Sequence, residues 1–595
     1  MLVTMRRLRT TSPSHANSTL AVLTLLGTLT ACSMLGANIA AAASPSAPGS
    51  HQTGVVLDSS AASSSTASTS QATGSNSSHG SGGSTGSTGS TGAGVPKGLE
   101  SFYNQDLTWT DCTDDATGTA FQCATVTVPL DYDNPQGQTI TVALKKLPST
   151  SSSPRGSVFL NPGGPGGSGI SLIESQAELF KTGEMSEVLA NYDIIGFDPR
   201  GVGQSTPITC WTPEDVQAIL AGQAEVPSLS TPGSAADIVS QGSREAAACQ
   251  EHTEVPEILD HADTRSVARD MDVMRALVGD KDLNYLGYSY GTYLGAVYTE
   301  LFPDSIGRVV LDSAMDPTMA RQDPMEGDAA AGEQSLRTYI ESQQGQAGFP
   351  LSGTTDAAVA QLATFLDGLD ANPLTVSGSG TPLDRTKAVN AISELVTASP
   401  DKWPLLTEGL SRAMNAHDGT ALKTNAESVS SNSVSPTTEK QVVERLQLID
   451  VFSANRCLDF PDAGNESRWD ATLASYRRDY PVFHSLLPQM DAFCHGWGHT
   501  SRTEAVDVDV EATNPVLVIG ILHDPNTPYP WSQAMVSRIR NSHLLSVDMY
   551  GHGATGRNAC TSAKVSDFLV NGTLPSDGEV CAADPEPQAG GGEKG

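Results

Sequence analysis

A series of short aliphatic runs constrains this chain more than any other feature. They are "SVFLN" (Ser157–Asn161), "YDIIGFD" (Tyr192–Asp198), "LNYLGY" (Leu283–Tyr288), "RVVLDS" (Arg308–Ser313), "PVLVIGIL" (Pro515–Leu522) and "HLLSVDMY" (His543–Tyr550). A strand that is apolar at consecutive positions has both faces buried, as central parallel strands do. Two more strand-like runs, "CATVTVPL" (Cys123–Leu130) and "TITVALKKL" (Thr139–Leu147), come before them. Helical patterns lie between the runs. In Asp263–Gly279, Val267, Met271, Met274 and Leu277 fall on one stripe. Strands alternating with helices predict an α/β fold, a mostly parallel sheet flanked by helices. The alternation stops between about Pro317 and Val506, where helical patterns such as Thr354–Leu369 take over. An inserted, mainly helical cap is therefore expected at 318–506, since insertions and sites collect at the carboxyl ends of parallel strands. The sheet-forming core is then 98–317 together with 507–583.

The two ends differ in character. Arg6, Arg7 and Arg9 precede the apolar run Leu20–Cys32, which is short for a membrane span and fits a signal segment. Leu29-Thr30-Ala31-Cys32 resembles a bacterial lipobox, in which Cys32 is lipidated; cleavage within the small residues of Asn38–Ser44 is the alternative. Residues 1–32 thus read as a lipoprotein-type signal, and the protein as exported, either lipid-anchored at the cell surface or secreted. Residues 33–97 are dominated by Ser, Thr, Ala and Gly, cannot bury enough apolar surface to offset chain entropy, and read as a disordered tether. The tail 584–595 reads the same way.

The net charge of −33 argues against a nucleic-acid partner, because phosphate binding needs clustered Lys and Arg. Apart from Cys32 there are Cys112, Cys123, Cys210, Cys249, Cys457, Cys494, Cys560 and Cys581. An even set in an exported chain suggests disulfides. Pairing sequence neighbours gives Cys112–Cys123, Cys210–Cys249, Cys457–Cys494 and Cys560–Cys581. No C-x-x-C occurs, and neither a metal nor a cofactor is expected.

The pattern G-x-S-x-G occurs twice. At Gly82–Gly86 it lies in the tether and means nothing; at Gly287–Gly291 a strand-like run precedes it and a helix-like run follows. Strand, sharp turn, helix is the setting of a nucleophile elbow, so Ser289 is the candidate nucleophile, with Gly287 and Gly291 making room for the turn. "NPGGPGGSG" (Asn161–Gly169) lacks the Lys-Ser/Thr of a phosphate loop, and its backbone amides can face an oxyanion. Gly164, with Gly163 as fallback, is paired with the Tyr290 amide for that role. His552, in "GHG" directly after a strand, is the candidate base; His523 ends its own strand, and His495 and His499 read as surface or cap residues. Asp524, at the end of the preceding strand, is the candidate acid, and Asp548, inside the last strand, its rival. Arg200 in "GFDPRGVGQS" reads as a structural tie near the site.

Taken in order, "NPGGPGGSG", "GFDPRGVGQS", "GYSYGTYLG", "RVVLDSAMDP", "HDPNTPY", "GHG" and the ending Cys560–Cys581 resemble the tripeptidyl-aminopeptidase branch of the proline-iminopeptidase-like α/β-hydrolases, from about Trp109 to Cys581. The resemblance implies an α/β-hydrolase fold and a serine exopeptidase that removes short peptides, usually tripeptides, from free N-termini. It carries Ser289, Asp524 and His552 as the triad. Iminopeptidases have histidine before the oxyanion glycines and tryptophan after the serine; this chain has Pro162 and Tyr290, which sets it apart from single-proline specificity. The implied partner is a peptide or protein N-terminus, and its ammonium calls for an acidic residue, with Asp316, Asp459 and Glu444 as candidates. A surface lipoprotein esterase or lipase with the same triad is the competing enzyme, and a non-catalytic surface-binding protein the competing class.

Overall fold

The computed structural model describes residues 95–584, apart from 115–116, 228–232, 319–323, 379–380, 430–435, 462–465, 485–488 and 501–505. The signal segment with Cys32, nearly all of the tether and the tail beyond Asp584 lie outside the described residues. Ten strands form one sheet: β1 (Thr110–Asp111), β2 (Gln122–Pro129), β3 (Thr139–Leu147), β4 (Ser157–Asn161), β5 (Asp193–Phe197), β6 (Leu283–Tyr288), β7 (Ile306–Asp312), β8 (Val510–His523), β9 (Ile539–Tyr550) and β10 (Val580–Ala582). Their order is β1-β2-β3-β5-β4-β6-β7-β8-β9-β10. The pairings of β1, β2 and β3 are antiparallel, and every pairing from β5 across to β10 is parallel.

The aliphatic runs are continuous because both faces of the sheet are covered. Phe159, Tyr285, Val309 and Val518 enter one hydrophobic cluster, beneath the helices Thr264–Leu277 and Tyr290–Leu301. Their strand neighbours Val158, Leu286, Val310 and Leu517 enter another, beneath Gly169–Thr182 and Ala559–Asn571. The period-2 geometry of a strand sends adjacent residues to opposite faces, so two apolar faces require an unbroken run. Helix starts are set by side-chain caps: Asp263 accepts from Ser266 N, and Ser168 from Ser171 N.

After β7 the chain leaves the sheet and returns at β8 (Val510). The helices in between include Thr355–Asp367, Arg385–Thr397 and Trp403–Ala416, which share a separate apolar cluster around Leu362, Ile392, Leu406 and Leu410. The helix Glu439–Asp459 instead packs on the sheet-bearing part, where Val451 and Leu458 join the first cluster. Four disulfides join Cys112–Cys123, Cys210–Cys249, Cys457–Cys494 and Cys560–Cys581. No helix among the described residues is long and apolar enough to cross a membrane.

At several carboxyls the effect of burial outweighs the hydrogen bonds they accept. Burial pushes Glu245 and Asp280 up to about 6. It pushes Glu333 and Asp459 up to about 7, with the Asp263 charge adding to the effect on Asp459. Each group binds its proton more tightly folded than unfolded. Their protonation therefore favours the native state at low pH, and that contribution is lost as pH rises through about 6–7. We expect the midpoint of thermal unfolding to fall between about pH 5 and about pH 7.5. Asp459→Asn and Glu333→Gln should each reduce that fall in calorimetric scans. A midpoint that rises across the same interval would contradict it.

Candidate active site

Ser289 stands between β6 and the helix Tyr290–Leu301 with φ 57° and ψ −128°. A non-glycine residue there stores about 1–3 kcal/mol of strain. The surroundings impose the turn. A β-carbon at Gly287 would lie 2.5 Å from the Gly291 carbonyl oxygen, and one at Gly291 2.8 Å from Asn161 Oδ1. Only hydrogen fits at either position. The Ser289 N–H donates to the Asp312 carbonyl at the end of β7 (3.0 Å), and the Ser289 carbonyl accepts from Thr292 Oγ1 (2.6 Å).

The glycine loop after β4 adjoins this turn. A β-carbon at Gly163 would meet Tyr290 N at 2.8 Å. The Gly163 N–H donates to Asn161 Oδ1 (2.9 Å). The Gly164 N–H has no partner among the described residues, and Tyr290 opens its helix, where amides have no intrahelical acceptor. Of the two loop amides, that of Gly164 is thus the one free to meet a ligand. The helix Glu439–Asp459 lies over the loop: a β-carbon at Gly164 would be 3.1 Å from Leu448 Cδ1, and one at Gly166 3.1 Å from Val451 Cβ. At its far end Asp459 accepts from Thr264 N (2.9 Å) and Thr264 Oγ1, and Thr264 Oγ1 also meets the Tyr290 hydroxyl.

Asp524 follows β8 and His552 follows β9. His552 Nδ1 lies 2.9 Å from Asp524 Oδ1 and 3.1 Å from Oδ2. Asp524 also accepts from Asn526 N (2.8 Å), Thr527 N (3.0 Å) and Thr527 Oγ1 (2.9 Å). Burial alone would push its carboxyl up. The His552 ring, Thr527 and the two amides outweigh burial and hold it below the ordinary carboxylate range. Its stabilising contribution is present above the unfolded value and is lost only as pH falls through the lowered one. His552 Nε2 is buried and has no hydrogen-bond partner among the described residues. The loop after β9 that carries His552 and the Ser289 turn share one anchor. Asp312, whose carbonyl takes the Ser289 amide, accepts with its carboxylate from Ala554 N (3.0 Å) and Thr555 N (2.7 Å). Ser313 Oγ accepts from Gly553 N (2.8 Å).

The other candidates lie elsewhere. Asp548 pairs with His523 Nε2 (3.0 Å), and the His523 ring stacks on Tyr550. His499 meets Asp260 (2.9 Å), and His495 packs on Trp469. Arg200 is fully buried, forks onto both oxygens of Asp270 (2.7 Å each) and donates to the Pro129, Leu130 and His261 carbonyls. Each acid considered for a substrate ammonium is engaged within the protein: Asp316 by Thr318, Asp459 by Thr264, and Glu444 by Ser171 Oγ (2.6 Å). Asn161, Asp312, Ser313, Thr527 and Arg557, which donates to the His552 carbonyl (2.6 Å), escaped the sequence reading. A polar residue at the last position of an apolar strand, as in "VVLDS" and "VFLN", was the available signal.

Residues 156–370 match the model of the alpha/beta hydrolase fold, and residues 480–581 that of the TAP-like protein family. The tripeptidyl aminopeptidase of Streptomyces lividans is 30% identical over 496 residues, covering 81% of this chain and 88% of that protein. Serine protease Hip1 of Mycobacterium tuberculosis is 30% identical over 509 residues, covering 82% and 93%. Carboxylesterase B of the same organism is 28% identical over 471 residues, covering 78% and 86%. On these likenesses and the sheet described above, the chain belongs to the tripeptidyl-aminopeptidase branch of the α/β-hydrolases and is a serine hydrolase.

Proposed function

We propose that the protein is an exported serine aminopeptidase that releases short peptides, tripeptides first among them, from free N-termini. The observation that carries this reading is the buried Asp524–His552 pair, anchored through Asp312 to the strained turn at Ser289. In the proposed reaction His552 Nε2 takes the Ser289 proton as Oγ attacks the scissile carbonyl. The Gly164 and Tyr290 amides hold the oxyanion. His552 then gives the proton to the leaving amine, and water, deprotonated by the same nitrogen, releases the acyl group. Asp524 keeps the imidazole in one tautomer and stabilises its cation. The helices of 318–506 act as a cap over this chemistry, and the cystine pairs support export. A lipid on Cys32 and the tether 33–97 would hold the catalytic part away from the membrane. The substrate assignment leans on the names of two relatives.

Tripeptidyl and aminoacyl arylamides, the same peptides N-acetylated, and short-chain aryl esters separate the readings. Turnover of free-amine tripeptidyl arylamides that acetylation abolishes is expected. Turnover of esters alone would favour the esterase reading, which the carboxylesterase-named relative supports. The oxyanion assignment has its own test. Gly164 has φ +116°, and a β-carbon would sit 2.9 Å from Gly166 N, so Gly164→Ala must displace the loop. It should lower kcat by about 10²–10³-fold with little change in KM, as loss of one oxyanion donor does. An unchanged kcat in steady-state assays would remove Gly164 from the mechanism.

A further inference from the structure

We infer that Asp312 and Arg557 are positioning residues of opposite sign for the catalytic histidine, holding its loop and setting the charge around its ring. The inference rests on His552 acting as the base. Asp312 is fully buried, and its carboxylate accepts from Ala554 N at both oxygens (3.0 and 3.2 Å) and from Thr555 N (2.7 Å). Burial pushes the Asp312 carboxyl up, and the donors from Thr555 and Ala554 oppose that; each of these contacts comes from a donor, which suits the ionised carboxylate. Its backbone carbonyl holds the Ser289 N–H, so one residue fixes the nucleophile's turn and the chain just beyond the base. Arg557 approaches from the base's own loop. Its Nη1 donates to the His552 carbonyl (2.6 Å), its guanidinium lies against Gly551, and it interacts with both Asp524 and Asp312.

Asp524 from the β8 loop meets the imidazole itself, while Asp312 from β7, Arg557 from the β9 loop and the Tyr288 hydroxyl from β6, which reaches the Thr555 carbonyl at 3.5 Å, hold the backbone of the histidine's loop. When the Ser289 proton arrives, the imidazolium meets a carboxylate on its ring nitrogen and a second one among the amides that follow it. Removing the Asp312 charge disfavours the protonated base. Removing the Arg557 charge favours it. A purely structural role for either residue would slow the enzyme and leave its pH dependence in place.

The experiment uses the full-length protein and two readouts, fluorophosphonate labelling of Ser289 and kcat/KM on a tripeptidyl arylamide, each across pH. In Asp312→Asn the acidic limb should move to lower pH by about half a unit or more, and in Arg557→Gln it should move to higher pH. Ser313→Ala, which removes the Gly553 hydrogen bond and no charge, should leave the limb where it is. Near-ultraviolet dichroism identifies the variants that fold; if Asp312→Asn does not, the upward shift in Arg557→Gln still decides. A folded Asp312→Asn or Arg557→Gln whose limb stays in place or moves the other way overturns the inference. Failure of the wild type to label, or labelling of Ser289→Ala, would instead overturn the nucleophile assignment itself, so the two failures are distinct.

Discussion

Ser289→Ala should lose hydrolysis by a factor on the order of 10⁵, with KM changed by less than about threefold and fluorophosphonate labelling gone. The size follows from the arrangement. Without the hydroxyl no acyl-enzyme forms, and the Asp524–His552 pair has no proton to take. Stability should move far less. The turn is held by backbone contacts of Ser289 with Asp312 and Thr292, which alanine keeps. Ser289→Gly sharpens the test. At φ 57° glycine relieves strain, so this variant should be as inactive as the alanine one and more stable by about 1 kcal/mol or more. Retained labelling in Ser289→Ala, or a Ser289→Gly protein clearly less stable than the wild type, would contradict the strained-nucleophile account. Asp524→Asn should keep its shape and lose kcat by about 10⁴-fold, because the amide can hold His552 in the wrong tautomer.

Arg200→Met should destabilise the protein by about 3–5 kcal/mol, the largest effect on stability we expect from one substitution. Arg200 and Asp270 are both buried, and removing the guanidinium leaves a carboxylate in the core with, among the described residues, the Tyr132 hydroxyl (2.8 Å) as its remaining strong donor. The carbonyls of Pro129, Leu130 and His261 lose their donor at the same time. The effect should be non-additive: adding Asp270→Asn to Arg200→Met removes the stranded charge and should restore part of the loss. Chemical denaturation of the wild type and the three variants measures it, and a loss below about 1 kcal/mol for Arg200→Met would show the pair to be dispensable. Activity should suffer as well. The Arg200 loop includes Asp198, which accepts from Ser168 Oγ and Ile170 N directly after the glycine loop.

The central strands were legible because burial on both faces writes itself as an apolar run, and β3, β4 and β6 span the residues expected from the sequence. β8 begins at Val510, ahead of the run at Pro515, since Val510 and Ala512 are buried while Glu511 and Thr513 face outward or to the side. The helix between β8 and β9 spans Tyr529–Arg538 and stops there because Ile539 already pairs with Val510 in the sheet. β1 and β10 are too short to leave a pattern. Ser289, Asp524 and His552 became candidates because each follows a recognisable strand. Asp312 was missed: its place at the end of "RVVLD" marks a polar residue closing an apolar strand, but nothing local shows the two loops it holds. Candidates for the substrate amine were least legible, since whether an acid is free or already paired depends on residues far away in the chain, as with Glu444 and Ser171.

The long helix from Glu439 to Asp459 rests on the glycine loop through Leu448 and Val451 and reaches the nucleophile's neighbour through Thr264. A helix of the inserted segment is thus bolted to the loop that carries the proposed oxyanion amides. On the proposed mechanism, swapping these helices between relatives to alter substrate choice would bring a foreign beam down on the amides assigned to the oxyanion. New selectivity obtained by such grafting should arrive with slower chemistry unless the stretch from Asn161 to Gly169 is exchanged along with it.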